Sequence, residues 1–309
     1  MDIQTTKIHD KMNQNSRLVL GTVQLGMHYG IANTTGQPDM KTAENIVAMA
    51  LDNGICEFDT AQAYGTSEAV LGTVLKRLGV SEKVKIISKL HPDLCWWDYR
   101  TINQAFHSSL ARLGVRRLHG LMLHREDLLD AWDQGLGEML CGWVQKGWVD
   151  HLGISVYSPA KARQSLIHKD LNMIQFPSNI IDRRFEDAKI FETATDDRKK
   201  IYVRSIFLQG LFFKRVNDLK DTMPCALPVL EKLNAMVNAW KISCQEICIG
   251  YAKQAYPNAQ ILFGAETVEQ VRMNVSAWNN DFPAERLRQI RCAFKDVSEQ
   301  LLNPSNWPE

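Results

Sequence analysis

Cys56-Glu57-Phe58-Asp59, Val84-Lys85-Ile86-Ile87-Ser88-Lys89 and Gly120-Leu121-Met122-Leu123-His124 are three short apolar runs, each ending in a chemically potent side chain. Runs of this length, bounded by helical sequence, read as buried strands. Residues 67–78 carry a helical pattern between the first two, and 99–113 another between the second and third. Strand, helix, strand in repetition builds parallel pairing through right-handed crossovers. In a closed barrel the carboxyl ends of all strands open on one face, so Asp59, Lys89 and His124 would converge there, with Tyr64 in the loop after Asp59.

Working outward, the alternation extends in both directions. Residues 17–24 read as the first strand and 41–53 as a helix with Ala43, Ile46, Val47, Ala50 and Leu51 on one face, stopped at Gly54. Beyond His124 the pattern predicts helix 136–147, strand 151–156, helix 159–168, strand 173–177, helix 185–199 and strand 201–207. Helices within 228–256, strand 260–264 and helix 267–278 complete it. Such a count fits an α/β protein of the (β/α)8 TIM-barrel class. A doubly wound sheet is the runner-up, but no Gly-x-Gly-x-x-Gly follows the first strand. Residues 26–39 and 211–228 are long loops expected over the barrel mouth, and 284–302 has the spacing of an added C-terminal helix. The expected organisation is a tail over 1–16, with none of the apolar run of a secretion signal, and one barrel domain over 17–309.

The 309 residues include 36 basic and 35 acidic side chains, a balance that offers no electrostatic footprint for nucleic acid or an anionic membrane. Seven cysteines in no paired spacing suit buried thiols in a reducing cytoplasm, neither a disulfide framework nor a zinc site. His91, His107, His119, His151 and His168 have no metal-ligand spacing, and no metal is expected. The remaining partner class is a small molecule, bound by a monomer or small homo-oligomer.

Each member of the cluster has an ordinary explanation alone: Asp as a turn former, Lys as a solvated charge, Tyr as packing. Together they describe an acid. An ammonium beside a phenol favours the phenolate, so Lys89 would lower the Tyr64 pKa. Lys89 at the end of an apolar strand needs a carboxylate partner, and Asp59 is placed to be it. His124 could donate a hydrogen bond to a substrate oxygen.

Phe58-Asp59-Thr60-Ala61-Gln62-Ala63-Tyr64-Gly65-Thr66-Ser67-Glu68 resembles the aldo-keto reductase pattern Asp-Thr-Ala-x-x-Tyr-Gly-x-Ser-Glu. Ile87-Ser88-Lys89 and Leu121-Met122-Leu123-His124 resemble that family's lysine and Leu-x-Leu-His strands. The likeness continues through Gly153-Ile154-Ser155, Gln175, residues 179–183, Gln209-Gly210-Leu211 and 264–274. The first strand and residues 204–210 look like a bacterial branch often associated with sugar chemistry.

The resemblance implies an NAD(P)(H)-dependent oxidoreductase interconverting an aldehyde or ketone and its alcohol, with Asp59, Tyr64, Lys89 and His124 as the catalytic set. It also implies cofactor contacts from Gly21, Thr22, Asp59, Ser155, Gln175, Arg204, Ser205, Gly264, Glu266, Thr267, Gln270 and Asn274.

Three residues depart from the family pattern: Val156 stands where an Asn is usual, Arg204 where a Tyr often stacks on the nicotinamide, and Glu266 where a base often holds a 2′-phosphate. Glu266 would repel that phosphate and could accept from a free ribose hydroxyl, which favours NADH over NADPH, with Arg272 as the reserve partner for NADPH. Thr267 and Gln270 read as a capping box opening the last barrel helix. His28, Tyr29, Trp96, Trp97 and Phe207 are the expected substrate-facing residues. A cofactor-binding regulatory or scaffold protein on the same barrel is the alternative function.

Overall fold

The computed structural model describes residues 16–307; the expected tail over 1–16 lies outside them save for Ser16. Its strands are β1 (Leu18–Gly21), β2 (Glu57–Asp59), β3 (Lys85–Lys89), β4 (Leu118–Leu123), β5 (Val149–Ser155), β6 (Leu171–Pro177), β7 (Lys200–Arg204) and β8 (Ala259–Gly264). Each pairs in parallel with the next, and β8 returns to β1, closing a (β/α)8 barrel. The strands are apolar because both faces are covered, one by the barrel interior and one by the helices.

Two packed layers result. Val19, Ile87, Met122, Met173, Tyr202 and Leu262 fill the barrel interior. The larger core lies between the strands and the outer helices. Helix Met40–Asp52 buries the face formed by Ala43, Ile46, Val47, Ala50 and Leu51, and Asp39 caps it by accepting from the Thr42 N–H. Helix Tyr99–Leu113 is capped by Asp98 and ends at Gly114 in the left-handed region. No helix among the described residues is long and apolar enough to cross a membrane.

Three elements differ from the sequence expectation. β1 stops at Gly21, and the chain turns into a single helical turn, Val23–Gly26. The helix expected over 185–199 is broken into Arg184–Asp187 and Ile190–Asp196, with Lys189 between them at φ 57°. The C-terminal helix is likewise two pieces, Ala284–Ala293 and Glu299–Leu302. Of the two long loops, the one after β1 borders the central cavity, whereas the one after β7 does so only through Phe213 and the residues before it.

The amino ends of the strands carry a polar floor. Tyr202 donates to Glu57 at 2.5 Å, and the Lys200 ammonium meets His151 Nε2 at 2.9 Å and His119 Nε2 at 3.3 Å. Burial, with the Lys200, His151 and Lys85 charges, pulls His119 down to about 4, and only Asp150 opposes it. An unfolded histidine titrates near the ordinary 6.5, so below that value the unfolded chain takes up the proton first. Stability is therefore lost as pH falls from about 6.5 toward 4, by up to ~1.4 kcal/mol per pH unit for each such histidine. Burial pushes Glu57 upward, which works against this trend. The comparison that isolates the histidine is urea unfolding of His119→Gln beside the parent at pH 7.5, 6.0 and 5.0. The variant is expected to have the flatter profile; parallel profiles would mean His119 titrates normally in the fold.

Candidate active site

The register of the barrel sets the site. Gly21 pairs with Asp59 and Gly264, Asp59 with Ile87, Lys89 with Met122, Ser155 with Gln175, and Pro177 with Arg204. Gly21, Asp59, Lys89, Ser155, Arg204 and Gly264 end their strands at the carboxyl rim, and His124 follows the last residue of β4. The strand ends thus deliver their side chains to one cavity of about 540 Å³.

Asp59 and Lys89 form an ion pair at 2.5 Å, with Lys89 0 % and Asp59 3 % exposed. A lone charge buried this deeply would be prohibitively costly, so the pair holds only because its remaining hydrogen bonds are satisfied. Lys89 also donates to the Thr60 carbonyl at 3.1 Å, and Gln175 Nε2 donates to the second Asp59 oxygen at 2.8 Å. Burial lowers the Lys89 pKa, while Asp59 opposes that shift.

Tyr64 stands in the loop after β2, and the rest of its sequence motif builds that loop. Ser67 donates to the Thr22 carbonyl at 2.7 Å and shares hydrogen bonds with the Thr22 and Thr60 hydroxyls. Glu68, buried, accepts from Ser88 of β3 at 2.5 Å and from Arg112 at 2.6 Å. Gly26 is required by close approach: a Cβ there would lie 2.0 Å from the Tyr64 carbonyl oxygen and 2.3 Å from the Ser67 nitrogen.

The Lys89 ammonium lies 5.1 Å from the Tyr64 ring centroid, over the ring face. His124 meets the same ring edge-on, with centroids 5.6 Å apart. The expected lowering of the Tyr64 pKa by Lys89 is not what the site does. Burial pushes the phenol well above its ordinary value, Asp59 pushes the same way, and Arg204 pulls it back. Burial outweighs the cation over the ring, and Asp59, which pairs that cation, adds to the rise. Tyr64 is thus held as a neutral phenol. Burial, aided by Lys89, Arg204 and His91, brings His124 down to about 3, so it is a neutral imidazole. Its Nδ1 is buried with no partner among the described residues.

The cavity wall includes Gly21, Thr22, Asp59, Tyr64, His124, Ser155, Gln175, Arg204, Ser205, Gly264, Glu266, Gln270 and Asn274, together with Tyr29 and Phe207. Lys89 lies beneath, reaching the cavity through Asp59 and Tyr64. Four expected residues are not brought to the wall. His28 is exposed and its Nε2 contacts the Asn33 carbonyl at 3.1 Å. Trp96 packs against the outer core, and Trp97 stands 68 % exposed beside it. Thr267 instead caps helix Val268–Asn279 by accepting from the Gln270 N–H at 3.2 Å. The reciprocal half of that capping box is displaced by one residue: the Gln270 side chain accepts from the Glu266 N–H and donates to the Glu266 carboxylate, each at 2.7 Å.

Arg204 lies with its guanidinium 4.1 Å from the Tyr157 ring and donates to the Val156 carbonyl at 3.4 Å and Ser205 Oγ at 3.3 Å. Sequence reasoning missed Tyr157, Gln24, Asn33, Gln209, Phe213 and Gln245, all of which border the cavity. The usable signal was position: Tyr157 lies two residues past β5, Gln24 three past β1 and Gln209 five past β7.

The sequence matches the Aldo/keto reductase family over residues 17–293. The chain belongs to the aldo/keto reductase family. Among its relatives, the aldo-keto reductase YhdN of Bacillus subtilis is 26 % identical over 70 % of this chain and 66 % of its own length. The NADH-specific methylglyoxal reductase of Escherichia coli is 24 % identical over 91 % of this chain and 96 % of its own. The holo form of the aldo-keto reductase AKR11C1 from Bacillus halodurans superposes with a TM-score of 0.75, covering 93 % of this chain and 95 % of that one at 24 % identity. This aldo/keto reductase is therefore an oxidoreductase of NAD(P)H-dependent carbonyl reduction.

Proposed function

We propose that this protein reduces an aldehyde or ketone to its alcohol with Tyr64 as the proton donor and NADH as the preferred cofactor. The observation that carries the reading is a neutral phenol set over a neutralised Lys89–Asp59 pair and against a neutral imidazole. When bound, the dinucleotide supplies the hydride. A substrate oxygen between Tyr64 and His124 gains negative charge as its carbon is reduced. The His124 N–H, carrying no net charge, holds that oxygen by a hydrogen bond. Tyr64 passes its proton to the oxygen, giving the alcohol, and the phenolate left behind faces the Lys89 and Arg204 cations before it takes a proton back. Burial keeps the phenol protonated at neutral pH, the form that gives up a proton when the carbonyl is reduced; the net direction follows the concentrations of the reactants.

The residues fit a dinucleotide. Gln24 Oε1 is buried without a partner among the described residues, in the wall beside Gly264, where it can accept from a ribose or carboxamide donor. Ser155, Gln175 and Arg204 are the residues that would hold the nicotinamide end, and Glu266, Gln270 and Asn274 the adenosine end. Glu266 supports the preference for NADH. Its carboxylate is fixed by Gln270, and Arg272 is turned away onto Glu269. A 2′-phosphate would meet the Glu266 carboxylate, while the arginine of the wall, Arg204, is stacked on Tyr157.

Fluorescence titration of the parent with NADH and NADPH tests this, followed by the absorbance of each with a panel of small aldehydes. NADH is expected to bind ~10-fold more tightly, with Glu266→Lys reversing the order. Equal or tighter binding of NADPH by the parent would remove the cofactor assignment; binding of NADH with no turnover of any aldehyde would remove the reductase.

A further inference from the structure

Arg204 ends β7 with its backbone held from the end of β6. The Ser178 N–H donates to the Arg204 carbonyl at 3.2 Å, and Asn179 Nδ2 donates to the Ser205 carbonyl at 3.1 Å. Ser205 itself has φ 61°, a left-handed conformation that non-glycine residues seldom adopt and that persists only where the surrounding structure enforces it. The side chain is fixed as well. The guanidinium lies over the Tyr157 ring at 4.1 Å, and its two terminal nitrogens donate to the Val156 carbonyl and to Ser205 Oγ. A planar guanidinium clamped in this way is a cation in a set place.

That cation is not neutralised. Among the described residues no carboxylate lies within ion-pair distance of Arg204, and its hydrogen-bond acceptors are a carbonyl and a hydroxyl. The other groups of the reacting centre carry no net charge: Asp59 and Lys89 cancel, and Tyr64 and His124 are neutral. Glu266, the remaining charged residue of the wall, is held by Gln270. Arg204 shares the wall with Tyr64 and His124, and its charge acts on both. A hydride donor has to stand within about 3–3.5 Å of the carbon whose oxygen lies between Tyr64 and His124, so its ring enters the same field.

Resting on the reductase reading above, we infer that Arg204 selects the redox state of the bound dinucleotide: it tolerates the neutral nicotinamide of NADH and repels the cationic ring of NAD+. The two forms share the pyrophosphate, the riboses and the adenine, so the rest of the cavity contributes equally to both. Reduction moves a hydride to the carbonyl carbon and the Tyr64 proton to its oxygen. While Tyr64 is a phenolate, its charge offsets that of the oxidised ring; once Tyr64 has taken a proton back from solvent, the ring and the guanidinium face each other as two cations. Arg204 therefore loosens the hold on the spent dinucleotide after the transfer, which speeds turnover wherever product release limits it.

The test is calorimetric titration of NADH and of NAD+ into the parent, Arg204→Gln and Arg204→Lys at one salt concentration, with a melting curve to show that each variant is folded. The parent is expected to bind NADH at least ~10-fold more tightly than NAD+, a gap of the size that one neighbouring charge produces in a partly buried site. Arg204→Gln should close the gap by tightening NAD+ while NADH changes little, and Arg204→Lys should keep most of it. A parent without the gap, or a gap that Arg204→Gln leaves unchanged, would overturn the assignment. So would equal weakening of both forms, which would make Arg204 an anchor for the pyrophosphate. If the parent prefers NADPH, the comparison runs unaltered with NADPH and NADP+, whose rings differ by the same charge. A parent that binds no dinucleotide would instead strike the reductase reading itself.

Discussion

Tyr64→Phe lowers kcat for carbonyl reduction by ~10²–10⁴-fold while the fold and the affinity for NADH persist. The substitution is unusually clean here, because the ring is what the neighbours use. Lys89 lies over the ring face and His124 meets its edge, so phenylalanine keeps both contacts and loses only the O–H. The loop is anchored elsewhere, by Ser67 on Thr22 and by the approach of Gly26 to the Tyr64 backbone. Steady-state rates, a melting curve and an NADH titration on the same preparation read the three quantities separately. A kcat within about tenfold of the parent would mean that general-acid catalysis is supplied by another group, with His124 the first to examine. A collapse of the melting temperature would mean that the hydroxyl has a structural bond.

The reach of sequence reading is visible in these same residues. Asp59, Lys89 and His124 could be placed at the barrel rim because a short apolar strand ending in a charged or polar group has few other ways to fold. Helix Tyr99–Leu113 was equally legible, with a cap at Asp98 and a stop at Gly114. Local pattern failed where tertiary contact decides the backbone. β1 ends early because Thr22 turns to bond the Asp59 carbonyl through both its N–H and its hydroxyl. β7 ends at Arg204 because Ser205 enters the left-handed region, and nothing in Ser-Ile-Phe-Leu-Gln announces that. Trp96 and Trp97 looked like pocket walls because aromatic residues after a strand often are; the loop after β3 carries them outside the cavity. Tyr157 and Gln209 went unseen for the converse reason, since their roles depend on Arg204 and on the loop after β1. The charge on Lys89 was the subtler error. Its partner was identified, but the burial of Tyr64, which outweighs the ammonium over its ring, exists only in the folded site.

Lys89→Met destabilises the protein by ~3–5 kcal/mol, because it leaves the Asp59 carboxylate buried with its counter-charge gone. Gln175 still donates to one oxygen, but one neutral amide does not replace an ammonium. Adding Asp59→Asn removes the stranded charge, so the double variant is expected to recover most of the lost stability. Catalysis is expected to follow the opposite course. The phenolate left when Tyr64 gives up its proton needs a cation over its ring, and neither the single nor the double variant has one from β3. Low kcat therefore persists in the double variant while its denaturation midpoint returns toward the parent. That divergence separates the two roles of the pair: the carboxylate is there to let an ammonium be buried, and the ammonium is there for the tyrosine. If Lys89→Met unfolds within ~1 kcal/mol of the parent, the ion pair carries no more than an exposed one would. If the double variant regains kcat along with stability, Lys89 serves the fold alone, and the charge that supports proton transfer must come from Arg204.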